Sequence, residues 1–164
     1  RDLYPPFWRN WLNADLLRDY LKVLPYFYDV EAEDRAKALV QSFENVHKAL
    51  AFFFSCPDLL QAARLVETRA QDLDGDHYHL LAPAAEALRD RYPLAAVVLW
   101  RRMIDFALFH GRASRYGHAA DHLMDCAALD EDIVDYGPFA PHHAYLAGLH
   151  AQHERKASFW AKLP

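Results

Sequence analysis

YPLAAVVLWRRMIDFALFHGRASRYGHAADHLMDCAAL, residues 92–129, decides the fold. Pro93 can open a helix because the first helical position needs no amide hydrogen. Gly111 can close it by taking up the left-handed conformation. A helix is therefore predicted over 93–111. Ser114 is placed to cap a second helix over 115–129. So short a connection makes the two helices antiparallel neighbours. Residues 94–100, LAAVVLW, are apolar on every helical face, which predicts a central helix. No segment shows the period-two alternation of a half-buried strand.

Outward from this pair the same punctuation recurs. Asn13 is a candidate cap for a helix over 14–24 that Pro25 ends, with Leu16, Leu17, Tyr20, Leu21 and Leu24 on one face. Asp29 precedes an acidic first turn, Glu31, Glu33 and Asp34, and a helix to about Ser42. Asn45 is expected to cap a helix over 46–55, and Pro57 to open one over 57–72. DLDGD (72–76) reads as a turn with Asp76 as N-cap, since its glycine falls at the wrong position for a calcium loop. A short turn at 77–81 should lead to a helix opened by Pro83 (83–92). Pro141 should open the last helix, which reaches about 161. The sum is an all-α single domain (1–164) of eight or nine stacked antiparallel helices. Ala84 and Ala96, twelve residues apart, are small enough to bring a helix pair close in the manner of tetratricopeptide repeats. We read the chain as a repeat-like, TPR-like helical array, with a closed bundle as the alternative.

Composition agrees. Hydrophobic residues make up 53% of the 164, aromatics 14%, and glycines number only five. This excludes disorder and favours helix. The net charge of −5 lacks the basic stripe of a duplex-binding domain, so no direct nucleic-acid contact is expected. Cys56 and Cys126 have no disulfide or zinc spacing, which favours a reducing, cytoplasmic setting. No apolar run spans a membrane. The chain opens at Arg1 without methionine and is expected to be the C-terminal part of a longer protein.

The segments YPLAAVVLWRRMIDFAL (92–108), SRYGHAADHL (114–123) and HHAYLAGLHAQHERKASFW (142–160) resemble an uncharacterised bacterial, all-helical family of unknown function. ENVHKALAFFFSCPDLLQAARLV (44–66) and LDGDHYHLLAPAAEAL (73–88) are similar to it too. The resemblance implies a helical, repeat-like fold and no established activity. The family's tail resembles the helical tails of some SWIM-type zinc-finger proteins, but two cysteines cannot build that finger.

Candidate sites come from charge and histidine placement. In HAADH, His118 and His122 share a helix face, with Asp121 between them; this is a weak zinc pattern, because aspartate replaces the glutamate of H-x-x-E-H and no third ligand is specified. The helical wheel puts Tyr116, Ala119, Ala120, Leu123 and Ala127 inward, and His118, Asp121, His122 and Asp125 toward solvent. His153 lies on the apolar stripe of the last helix and is expected to be packed. Histidines buried in the neutral form would lower stability as pH falls through about 6. On the central helix, Arg101 and Asp105 stand one turn apart. They form either a buried pair that fixes register or, with Tyr116, the border of a groove. Cys56 and the serines lack nucleophile context.

No catalytic residue, cofactor or metal is assigned from this pattern. The expected role is a non-catalytic interaction module that binds a protein or peptide segment. A structural domain of a larger protein is the alternative, and a metal-dependent enzyme the third.

Overall fold

The computed structural model describes residues 26–55 and 57–164. Eight α-helices and three 3-10 turns lie among the described residues, with no strand. The predicted helix over 14–24, the aromatic segment before it and Cys56 fall outside them. The chain divides into two compact units, Arg1–Asp72 and Leu73–Pro164.

In the first unit, α1 (Tyr26–Gln41), α2 (Val46–Ser55) and α3 (Leu59–Thr68) bury Val40, Leu50, Phe52, Phe53, Leu65 and Val66. Helix α1 begins directly after Pro25, so Glu31, Glu33 and Asp34 lie beyond its first turn rather than in it. Glu31 instead pairs with Arg35 one turn on, at 2.6 Å. Asn45 caps α2 as expected, its Oδ1 accepting from the Lys48 amide at 3.0 Å. Asp58 caps α3 by accepting from the Gln61 amide at 3.1 Å, so that helix starts after Pro57 rather than on it. Burial alone would raise the Asp58 pKa, but Lys37 at 2.7 Å and the Gln61 amide outweigh it and hold the carboxyl below its usual range. Arg69 donates to the carbonyls of Gln41, the last residue of α1, and of Phe43 and Glu44 in the loop that follows it.

The second unit is built on α5 (Pro93–Phe109), with α4 (Tyr78–Leu88) and α6 (Tyr116–Ala128) as its main neighbours. Every residue from Ala95 to Arg101 is buried, as the all-apolar run predicts. Pro93 stands at the first position, and Gly111 leaves the helix with φ +61°. Ala84 and Ala96 are both buried, on α4 and α5 respectively.

Helix starts in this unit differ from expectation. Helix α4 starts at Tyr78, and Pro83 sits inside it rather than opening it. The proline removes one i→i−4 bond, to His79. Both residues are exposed, so water can serve that carbonyl. Ser114 is not a cap either: a 3-10 turn, Ala113–Arg115, runs straight into α6 and occupies the first amides itself.

The last predicted helix is broken into α7 (His142–His153) and α8 (Ala157–Trp160). The Trp160 indole N–H donates to the His153 carbonyl at 2.8 Å, serving the C-terminal end of α7. Phe159 is fully buried, with its ring edge-on to Tyr116 of α6 at 5.9 Å. No helix among the described residues is long and apolar enough to cross a membrane.

Candidate functional site: a cleft between three helices

The segment 73–77 is drawn tightly onto α5. Arg102 donates to the Leu73 carbonyl through both Nε and Nη2, at 2.9 and 2.8 Å. Gly75 lies so close that a Cβ there would stand 2.1 Å from the Arg102 carbonyl oxygen and 2.6 Å from Phe106 Cβ. This close approach is why glycine occupies the turn. Asp76 is not the N-cap of α4, a position held by His77. Its carboxylate instead accepts from Arg115 at 2.7 Å. The Arg115 guanidinium lies over the rings of Tyr78 and Phe106, at 4.5 and 5.5 Å.

Above this platform α4, α5 and α6 leave a cleft of about 520 Å³. Its floor is small and apolar: Ala82, Met103, Ala107 and Ala119. Its polar lining comes from Tyr78, Ser114, Arg115, His118 and His122. Volumes of this order hold drug-sized ligands or one or two side chains of a bound segment.

Both HAADH histidines therefore reach one cleft. Asp121 is exposed and does not line it. His118 is exposed, as the wheel predicts, but His122 is half-buried and stacked on Trp100, with centroids 6.3 Å apart and planes 18° apart. Burial lowers the His122 pKa, against the opposing pull of Asp125. Its imidazole is thus neutral near pH 7, able to donate from one nitrogen and accept at the other. Among the described residues no three histidine, cysteine or carboxylate side chains are grouped to hold a metal ion. The wheel also misplaced one residue: Cys126, not Ala127, continues the buried track of α6. Burial pushes the Cys126 thiol up to about 12, so it is no nucleophile near neutrality.

The expected groove of Arg101, Asp105 and Tyr116 does not form. Arg101 is only 7% exposed and donates through Nη1 to the Ala140 carbonyl at 2.6 Å. Its guanidinium lies 4.4 Å from the Tyr145 ring centroid and 5.3 Å from that of Tyr136. Asp105 accepts from the Tyr145 hydroxyl at 2.8 Å and makes no ion pair with Arg101 within 4.0 Å. Burial raises the Asp105 pKa, partly offset by that hydroxyl. Tyr116 is buried against Phe159. The sequence placed Arg101 and Asp105 one turn apart correctly. It held no signal that residues 136–145 return to cover them.

His153 is half-buried, and its pKa is lowered by burial, then by Lys156. His142 is lowered by burial too. For these groups the unfolded chain takes up protons first, so stability falls as pH drops below about 6.5.

The fold and cleft define an all-helical protein with a ligand-sized cavity and no assembled catalytic or metal constellation among the described residues. The chain belongs to a family of unknown function (DUF6880), whose model matches residues 3–162. No curated protein and no solved structure matched it.

Proposed function

We propose that this chain is a non-catalytic interaction module, and that the cleft between α4, α5 and α6 receives a short segment of a partner protein. The observation that carries this is the chemistry of the lining. An apolar floor suits one aliphatic or aromatic anchor, and Met103 adapts its shape. The rim offers neutral hydrogen-bonding groups, Tyr78, Ser114 and His122, suited to peptide backbone. The cationic Arg115 is already paired with Asp76, which disfavours a phosphate or nucleic-acid ligand. The occupant is thus a neutral, apolar-anchored peptide rather than an acidic one. The close α4–α5 pair with buried Ala84 and Ala96 supports the tetratricopeptide-like comparison, and the buried free thiol of Cys126 supports a cytoplasmic setting.

Panning a random peptide library against the full chain tests this. Enriched peptides should share an apolar anchor and should lose binding to Ala82→Trp, which fills the cleft. Peptides indifferent to that substitution, or no enrichment at all, would leave the chain as a structural element of a larger protein.

A further inference from the structure

Arg101 is the one charged residue among the buried side chains of the described residues. Its five N–H groups are unevenly used. Nη1 serves the Ala140 carbonyl, whereas Nε and Nη2 are buried without an oxygen or nitrogen partner, and the guanidinium has beside it the Cys126 sulfur, a weak acceptor. These two atoms form the side edge of the guanidinium, the edge that matches the two oxygens of a carboxylate in parallel. Arg102, the next residue, uses the same edge fully, on the Leu73 carbonyl. Asp105, one turn on along α5, is engaged by Tyr145 instead. His142, two residues past Ala140, also has a buried Nδ1 without a partner. Buried N–H groups left unmade are costly, more so on a charged group.

We propose that the Nε/Nη2 edge of Arg101, flanked by the rings of Tyr136 and Tyr145, is a binding site for a carboxylate. The ligand is either a free small monocarboxylate or the side-chain carboxylate of a bound segment. Planarity favours a carboxylate over a spherical anion, because the guanidinium lies against aromatic faces. Residues 133–140 supply the Tyr136 ring and the Ala140 carbonyl that cover the site. Tyr136 is fastened to Asp130 through its hydroxyl at 2.6 Å. Entry follows when this segment lifts. The site shares no residue with the α4–α5–α6 cleft, so it stands or falls separately from the peptide-binding role.

The test is a titration of the full chain with sodium acetate, matched in ionic strength by sodium chloride, following arginine Nε–H resonances near neutral pH. One Nε–H, identified by its loss in Arg101→Lys, should move saturably with acetate and not with chloride. Calorimetry should show acetate binding at least about ten-fold weaker in Arg101→Lys, the loss expected for one charge-assisted hydrogen bond. If that variant does not fold, crystals of the native chain grown with sodium acetate should show planar density against the Nε/Nη2 edge of Arg101 that crystals grown with sodium chloride lack. A blocked peptide containing a single glutamate separates the sources: binding tighter than acetate supports a partner's side chain, and binding weaker than acetate supports the free acid. Identical responses to acetate and chloride, an unchanged affinity in Arg101→Lys, or crystals in which acetate leaves no density beside Arg101 would overturn the proposal.

Discussion

Two neighbouring arginines on α5 face opposite regions of the same unit, and they are used differently. Toward the incoming segment 73–77, Arg102 spends both edge donors on one carbonyl, and Gly75 lets the backbone touch the helix. Toward the returning segment 133–140 Arg101 makes a single bond, to Ala140, and meets the ring of Tyr136, with the ring of Tyr145 on α7 beside it. The first region is a close-packed clasp. The second is a looser cover over a charged group with unspent capacity. Residue type alone does not assign a structural or a binding role; the count of satisfied donors does.

The sharpest way to break the clasp is Gly75→Ala. The new methyl meets backbone, which cannot give way, and should cost about 3 kcal/mol in chemical denaturation. A loss under half that would show that the 73–77 segment shifts freely. Arg102→Met comes next. It leaves the Leu73 carbonyl without its donor and should cost about 2 kcal/mol.

On the other side, Tyr145→Phe removes the donor to Asp105 and should cost about 1.5 kcal/mol at pH 7. Asp105 already has a raised folded pKa, so its contribution to stability falls as pH rises through the usual carboxyl value toward the folded one. Without the tyrosine the folded pKa rises further. The penalty should therefore shrink in acid, once Asp105 is neutral, and a pH series of melts checks this. A penalty equal at pH 4 and pH 7 would mean that the hydroxyl does not act through the carboxylate. The smallest effect is expected for Arg101→Met, less than about 1 kcal/mol in carboxylate-free buffer, because removing two donors without an oxygen or nitrogen partner offsets the lost Ala140 bond. A loss matching that of Arg102→Met would erase the contrast between the two regions.

What was legible in the sequence follows the same division between local and long-range causes. Pro93, Gly111 and Asn45 act on their own turns, and the elements they bound stand as predicted. Pro83 misled because a turn of helix precedes it, and Ser114 because it lies inside the 3-10 turn that leads into α6. The HAADH spacing located two imidazoles on one face, but it could not show that Trp100 takes one of them. Ala82, Ala107 and Ala119 line the cleft while looking like any core alanine, so the cavity had no sequence signature. Tyr145 lies 44 residues from Arg101, beyond the reach of any helical period.

The stacking of His122 on Trp100 has an optical consequence. Trp100 is fully buried, with Arg89 over its ring at 5.6 Å and the imidazole alongside. A protonated imidazole quenches indole emission far more than a neutral one does. Trp100 should therefore dim as His122 titrates, below the ordinary histidine range. Anything that settles in the cleft and touches His122 should shift that midpoint. Trp160 is stacked on His150 at 3.8 Å and would respond to acid as well, so the cleft signal is read from a chain in which Trp100 is the single tryptophan left, with Trp8, Trp11 and Trp160 replaced by phenylalanine.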